Sequence, residues 1–143
     1  MITVMQEADI PVVQAFLQNA GVNTDGIENM ANQLLIVRDA EEGIIATLGL
    51  ERIGNDGVLR SLVINPQATS VPLVPLFETM IQVAKEQHIH MLYLVTNKRK
   101  TIPLFELMDF SIAKDIPDTV YDNDHIQTAM KVDGSVLLTS SLI

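Results

Sequence analysis

Residues 61–80, SLVINPQATSVPLVPLFETM, have the outline of a strand that runs into a helix. In α/β proteins this junction often holds a phosphate, because the N–H groups at a helix N-terminus attract an anion. Such turns are normally rich in glycine, which lets the backbone approach the anion closely. This turn has no glycine, and it contains Pro72 and Pro75, which lack N–H donors. Two interpretations are therefore open, a weakened anion-binding loop or an ordinary helix entry.

The basic and histidine side chains suggest little further binding chemistry. Lys98, Arg99 and Lys100 are the only run of cations in the chain, and they form either a solvated loop or a contact for an anionic small molecule. The histidines are His88, His90 and His125. They do not have the spacing of metal ligands, and no carboxylate accompanies them on a shared face, so no metal is expected.

Composition limits the class of protein. The chain has 143 residues, enough for one domain with a substantial core, and 48% of them are hydrophobic. The net charge of −9 argues against nucleic-acid binding, and the lack of cysteine excludes disulfides, thiol catalysis and thiolate metal sites. No apolar run approaches the ~20 residues that cross a bilayer, and the N-terminus does not have a signal-peptide pattern. We expect a cytoplasmic protein without membrane contact.

Hydrophobic periodicity and turn residues predict the elements that position these residues. A strand at 2–5 is followed by a helix that begins near Asp9 and ends at Gly21, and then by a polar turn with a short second helix. The remaining elements are strands at 34–38, 44–53 and 58–64, a helix at 76–88, a strand at 90–96, a helix at about 102–108, and strands at 110–113 and 135–142. We predict one α/β domain, residues 1–143, in which an antiparallel meander belongs to a mixed sheet flanked by helices.

Arg60 lies in the strand predicted at 58–64. Alternation puts Arg60, Leu62 and Ile64 on one face of this strand and Leu59, Ser61 and Val63 on the other. An arginine in this position either binds a substrate carboxylate through two parallel hydrogen bonds or pairs with Glu51 on a neighbouring strand.

Five motifs follow one another along the chain: NAGVNTDGIENM (19–30), LGLERIGNDGVLRSLVINP (48–66), LYLVTN (92–97), LFELMDF (104–110) and DIPDTV (115–120). With the order of elements, they resemble the GCN5-related N-acetyltransferase (GNAT) superfamily, and within it the arsenic-resistance-associated and N-acetylglutamate-synthase-like branch. The resemblance implies a meander followed by a splayed βαβ unit, in which the gap between the strands at 58–64 and 90–96 admits the pantetheine arm of coenzyme A. It also implies acetyl transfer from acetyl-CoA to the amine of a small molecule.

The resemblance assigns roles to individual residues. Glu51 matches the glutamate of the family's GLE motif and is the implied base for the amine, the alternative being a structural ion pair with Arg52 or Arg60. Thr24 and Asp25 fall in the loop that forms part of the acceptor pocket, although NTDG is also a plain turn. The positions implied for coenzyme A are Leu62, Val63, Ile64, Thr69, Ser70, Val71, Asn97 and Phe105. Asn97 is equally well explained as a strand-ending turn residue.

Three positions depart from the family pattern. The family's glycine-rich pyrophosphate loop is replaced by TSVPLV at 69–74, and the helix is expected to begin at Pro75. Phe105 stands where relatives often have a tyrosine that protonates the leaving thiolate, and phenylalanine cannot transfer a proton. Asp109 replaces a family glycine, which predicts a strained or reshaped turn.

Two functions are therefore open. One is a GNAT-type N-acetyltransferase that acts on a small-molecule amine, such as an amino-acid-like compound, with acetyl-CoA as co-substrate. The other is a catalytically impaired GNAT-fold module that binds a ligand or partner and has weak or no affinity for coenzyme A. Glu51 and Arg60 favour the enzyme, whereas the glycine-free loop and Phe105 favour the module. The C-terminal segment, residues 129–143, completes the sheet either of its own chain or of a partner in a homodimer.

Overall fold

The computed structural model describes residues 1–68 and 70–143. In chain order its elements are β1 (Ile2–Val4), α1 (Ile10–Asn19), β2 (Leu34–Arg38), β3 (Ile44–Ile53), β4 (Asp56–Ile64), α2 (Leu73–Glu86), β5 (Met91–Thr96), α3 (Ile102–Leu107), β6 (Ser111–Ile112), α4 (Asp118–Tyr121), α5 (Asp124–Met130) and β7 (Val136–Ser141). Short 3₁₀ turns occur at Glu7–Asp9, Ile27–Asn29 and Arg99–Thr101. The strands form a seven-stranded sheet in the order β1-β2-β3-β4-β5-β7-β6. The predicted mixed α/β sheet flanked by helices is confirmed.

The chain divides into two compact units, and the first comprises Met1–Glu51 and Arg60–Val83. Here β1 pairs antiparallel with β2, and β2 pairs antiparallel with β3, as predicted for the meander. Helix α1 buries Val13 and Leu17, which lie one turn apart on the same face, in a core shared with Ile36 of β2. The side chain of Asp9 does not cap this helix. Its carboxylate accepts hydrogen bonds from the Gln6 N–H and the Arg38 guanidinium instead.

The second unit comprises Arg52–Leu59 and Ala84–Ile143. Its central strand, β5, pairs parallel with β4 at Asp56–Met91, Gly57–Leu92 and Val58–Tyr93. These pairs comprise the first three residues of each strand, and such partial pairing is what a splayed βαβ unit requires. On its other side β5 pairs antiparallel with β7, which in turn pairs with β6. The C-terminal strand therefore completes the sheet of its own chain.

The polar stretch after β6 contains two short helices that the sequence pattern did not predict. Val120 of α4 and Ile126 of α5 are buried in the core of the second unit. Asn123 caps α5, because its side chain accepts a hydrogen bond from the Ile126 N–H at 3.1 Å. Helices of four and seven residues are too short to show a helical period, so the sequence pattern does not reveal them.

Tyr93 of β5 is a buried phenol in the core of the second unit. Burial raises the pKa of this phenol above its usual value of 10.0, the charge of Asp56 adds to the rise, and a hydrogen bond with Thr139 opposes it. A raised folded-state pKa means that the unfolded chain loses this proton first as the pH rises. The stability conferred by the neutral phenol is thus complete below pH 10.0 and is lost as the pH rises toward the folded-state pKa.

We expect Tyr93→Phe to flatten the loss of stability at alkaline pH, because phenylalanine has no proton to release. The free energy of unfolding of the unmodified chain should fall relative to this variant by up to about 1.4 kcal/mol per pH unit above pH 10. Urea unfolding between about pH 8 and pH 11 measures the difference. Tyr121→Phe is the matched control, because Tyr121 is 55% exposed. If the free energy of unfolding fell equally steeply with pH in the unmodified chain and in Tyr93→Phe, the raised pKa of Tyr93 would be contradicted.

Candidate functional site

β4 departs from regular strand geometry at Ser61, whose φ of +57° lies in the left-handed region. The Ser61 carbonyl accepts a hydrogen bond of 2.8 Å from the buried Thr47 hydroxyl, which holds this irregularity against β3. Strict alternation consequently does not continue through Ser61. Leu62 and Ile64 are exposed, whereas Arg60 is mostly buried. The prediction that these three side chains share one face as a regular strand is wrong.

Gly49 lies in β3 against the irregular part of β4. A Cβ atom at this position would lie 3.2 Å from the Arg60 carbonyl oxygen and 2.8 Å from the Met30 Cε. The first distance is tighter than ordinary van der Waals contact, and the second would require the Met30 side chain to move. The glycine of the LGLE motif therefore allows β3 and β4 to approach closely next to Glu51.

Glu51 and Arg60 form an ion pair in the first unit. The Arg60 Nη1 donates to the Glu51 Oε1 at 2.6 Å, and the two side chains are 22% and 34% exposed respectively. Arg52, the other predicted partner of Glu51, instead donates to the Gln87 carbonyl at 2.8 Å. The Arg60 Nε is a buried donor with no acceptor among the residues that the structure describes. The pair thus presents a partly exposed carboxylate and a guanidinium with an unsatisfied buried N–H.

A pocket of about 200 Å³ opens in the first unit, at the ends of α1 and β4. Its lining residues are Phe16, Asn19, Ala20, Val63, Ile64, Asn65 and Pro66. The Asn65 side chain is fixed by accepting a hydrogen bond from the Gln67 N–H at 3.0 Å. Only Val63 and Ile64 were predicted site residues. Of the others, Asn19 and Ala20 lie in the first quoted motif and Asn65 and Pro66 in the second. Their meeting in one pocket was not predicted, because α1 and β4 are far apart in the sequence and meet only in the folded unit.

The segment before α2 and the first turn of that helix form several backbone hydrogen bonds of their own. The helix begins at Leu73, so the predicted start at Pro75 is wrong. The Leu73 N–H donates to the Val71 carbonyl at 2.9 Å, and the Leu76 N–H donates to the Pro72 carbonyl at 3.0 Å. Both prolines are tolerated, because Pro72 precedes the helix and Pro75 lies in its first turn, where an N–H has no helical partner. Ser70 is exposed, and Thr69 lies outside the described residues.

The loop that contains Thr24 and Asp25 forms its own hydrogen bonds. The Gln18 side-chain amide donates to the Thr24 hydroxyl at 3.4 Å, and the Asp25 N–H donates to the Asn23 side chain at 2.8 Å. Gly26 follows with a φ of +81°, a conformation that glycine adopts readily. These contacts are those of a well-formed turn. A role for Thr24 and Asp25 in an acceptor pocket stays a prediction.

The other two predicted site residues lie in the second unit. Asn97 is exposed in the bend directly after β5. Phe105 of α3 is 6% exposed, and its ring packs edge-on against Phe110 with centroids 6.0 Å apart. The structure therefore gives Phe105 a packing role, and its contact with coenzyme A stays a prediction.

Asp109 occupies the turn after α3 in the conformation expected of glycine. Its φ is +68°, its N–H donates to the Glu106 carbonyl, and the Phe110 N–H donates to the Phe105 carbonyl at 3.0 Å. This pattern is a common helix ending with a left-handed residue. The turn thus keeps its shape, and the aspartate carries the cost of the left-handed conformation.

Asp109→Gly is expected to stabilise the fold by about 1 kcal/mol, because glycine adopts a positive φ without steric cost. Chemical denaturation at neutral pH measures the gain. Asp109→Ala is the control, since alanine removes the same carboxylate but keeps the Cβ atom. If alanine stabilised the protein as much as glycine does, the carboxylate and not the backbone conformation would be the source of the cost.

In the part of the chain that the structure describes, no group of three or more histidine, aspartate or glutamate side chains is arranged to hold a metal ion. Over the same residues, no helix combines the length and apolar character needed to cross a membrane.

Comparison with solved structures identifies the class of fold. Rv2747 from Mycobacterium tuberculosis, in complex with CoA and NLQ, aligns over 100% of this chain and 99% of that chain with a TM-score of 0.77 and 12% identity. An acetyltransferase of the GNAT family from Staphylococcus aureus Mu50 aligns over 100% and 99% with a TM-score of 0.71 and 17% identity. N-acetylglutamate synthase from Neisseria gonorrhoeae, complexed with coenzyme A and N-acetyl-glutamate, aligns with a TM-score of 0.72 and 19% identity. That alignment covers 100% of this chain and 35% of the synthase chain. The fold is that of the GNAT acetyltransferases.

Comparison of sequences gives the nearer relationship. No protein-family model matches this sequence. The chain is 32% identical over 136 residues to the uncharacterized protein YwlB of Bacillus subtilis (strain 168), which covers 94% of this chain and 92% of YwlB. The chain belongs to the YwlB family. The resemblance to the GNAT superfamily is thus supported at the level of fold, and the finer branch stays a prediction.

Proposed function

We propose that this chain is a GNAT-type N-acetyltransferase that moves an acetyl group from acetyl-CoA to the amine of a small, carboxylate-bearing molecule. The observation that carries the proposal is the Glu51–Arg60 pair, placed on neighbouring strands of a GNAT fold. A cytoplasmic location and a small-molecule amine as partner are part of the proposal.

Glu51 acts as the base in this proposal. An ammonium group cannot attack a thioester, so one proton must leave the amine before or during attack. The Glu51 carboxylate is 34% exposed, so an amine or an intervening water can reach it. The amine nitrogen then bonds to the thioester carbon, the carbon–sulfur bond breaks, and the thiolate leaves. Solvent protonates that thiolate, since Phe105 has no proton to give.

Arg60 recognises the carboxylate of the acceptor. One edge of its guanidinium is held by Glu51, while the buried Nε–H has no acceptor among the described residues. A ligand carboxylate would meet the exposed part of this guanidinium, whose side chain is 22% exposed, and pair with it through charge-assisted hydrogen bonds. The partly exposed cation therefore supports an amino-acid-like acceptor over a simple amine.

Two features of the first unit are assigned to the acceptor's substituent and to the pantetheine arm of coenzyme A. The 200 Å³ pocket is lined mainly by apolar groups with two amide side chains, which suits a short apolar substituent. Leu62 and Ile64 expose large apolar side chains at 41% and 40%. We assign the backbone of Leu62, Val63 and Ile64 to the pantetheine arm, whose contacts depend on backbone geometry and not on side-chain identity.

A catalytically impaired ligand-binding or partner-binding module is the second candidate, and a specific observation favours it. In the segment before α2, residues 65–72, Pro66 and Pro72 lack an N–H, and the N–H groups of Gln67 and Ala68 both donate to Asn65. Few amides are left there to hold a pyrophosphate. Such a protein would keep the fold but bind coenzyme A weakly or not at all.

Incubation of the purified protein with acetyl-CoA and a panel of L-amino acids tests the proposal. Release of the coenzyme A thiol and a product heavier by one acetyl group are the expected results. The matched control is the same panel with amidated carboxyl groups, which should be acetylated poorly because Arg60 loses its anionic partner. Absence of an acetylated product across the panel would favour the non-catalytic module.

A further inference from the structure

The turn after β5 carries an unusual concentration of positive charge. Lys98, Arg99 and Lys100 are consecutive and exposed in a chain of net charge −9. Among the described residues, none of the three forms an ion pair with a carboxylate. By contrast, the arginines elsewhere are engaged: Arg38 with Asp9, Arg52 with the Gln87 carbonyl and Arg60 with Glu51. The run of cations therefore does not take part in an ion pair that stabilises the fold.

The backbone of this turn is held in place by hydroxyl groups. The Lys98 N–H donates to the Thr96 Oγ1 at 3.1 Å, and the Thr101 hydroxyl donates to the Lys98 carbonyl at 2.6 Å. The two threonine hydroxyls also lie 3.1 Å apart. The backbone positions from which the three cationic side chains extend are thus fixed, while the charged ends remain in solvent. Fixed backbone positions lower the entropy that is lost when an anion binds.

Coenzyme A carries a pyrophosphate and a 3′-phosphate, whose charge needs compensation in a strongly acidic protein. The segment before α2 is a poor source of it, because it has no glycine, Pro66 and Pro72 lack an N–H, and the N–H groups of Gln67 and Ala68 are engaged with Asn65. We infer that Lys98, Arg99 and Lys100 form an anion-binding site for the phosphate groups of the acyl carrier. The identity of the anion rests on the proposed function, whereas the site itself does not require acetyl transfer.

Titration calorimetry with coenzyme A and with adenosine 3′,5′-bisphosphate, its nucleotide part, tests the site. Lys98→Ala/Arg99→Ala/Lys100→Ala should weaken both interactions about tenfold or more, because three favourable charge pairs are lost. The matched control is Lys85→Ala/Lys114→Ala/Lys131→Ala, which removes the same charge from three exposed and scattered positions. This control should change the affinity by no more than about threefold, since its three lysines are separated in the sequence and do not form a concentrated positive charge. Thermal unfolding verifies that both variants fold.

Ionic strength gives a second measurement on the unmodified chain. Affinity for the bisphosphate should fall steeply with added salt, and this dependence should be shallower in the cluster variant. Equal affinities in the cluster variant and the unmodified chain, or no binding of either probe to the unmodified chain, would overturn the inference. Loss of binding in the cluster variant without acetyl transfer to any amine would leave the anion site standing and remove the proposed function. Acetyl transfer by the unmodified chain, together with an unchanged affinity of the cluster variant for both probes, would support the proposed function and overturn the anion site.

Discussion

Glu51→Gln is expected to lower kcat/KM for acetyl transfer by about 100-fold or more, because general-base catalysis typically contributes a factor of at least this size. The loss should be greatest below the pKa of the acceptor amine, where the amine is protonated and a base is needed. It should shrink above that pKa. Glutamine keeps an oxygen that can accept the hydrogen bond from Arg60, so the variant removes the base while preserving the contact. A pH profile of initial rates measures the effect.

Two companion variants separate catalysis from other effects. Glu78→Gln removes the same charge from an exposed position on α2 and should leave the rate unchanged. Phe105→Tyr restores the acid that the family uses and should leave the rate unchanged or raise it. Because Phe105 is buried, the thermal stability of the Phe105→Tyr variant must be measured together with its rate. Unchanged turnover of Glu51→Gln across the pH range would show that Glu51 has a structural role only.

Replacing Ser70, Pro72 and Val74 together with glycine is expected to tighten coenzyme A binding by roughly 100-fold. The change restores an N–H at position 72 and removes side chains that would press against a phosphate. A charge-assisted hydrogen bond is worth about 1.5–3 kcal/mol, so the restored N–H, with closer approach of the backbone to the phosphate, accounts for an effect of this size. Calorimetry with coenzyme A gives the affinity directly.

The alanine version of the same triple replacement is the control for the glycine graft. It restores the N–H at position 72 but keeps a Cβ atom at each site, so it should recover only part of the gain. Thermal unfolding is needed for both, because glycine near a helix start costs up to about 1 kcal/mol per residue. A glycine graft that binds coenzyme A no better than the unmodified chain would contradict the interpretation of this segment as a poor anion site.

The local sequence pattern predicts much of the fold. Strands β2, β3 and β5 are runs of apolar and β-branched residues, and their ranges match the prediction closely because burial dictates composition there. Helix α1 has a clear period and ends near Gly21, whose φ is +76°. The pattern was less informative where elements are short, as in α4 and α5. It also placed the start of α2 too late, since Pro75 is tolerated throughout a first helical turn.

The candidate site depends on contacts that local sequence does not specify. The sequence by itself identified Glu51 and Arg60 as the charged residues of interest and left Arg52 and Arg60 as alternative partners. Only the folded first unit decides between them, because the irregular backbone at Ser61 and the close approach at Gly49 set how β3 and β4 face each other. The pocket at α1 and β4 likewise joins residues far apart in the chain. Composition and periodicity report burial and local geometry, whereas the pairing of distant side chains is fixed by register and packing.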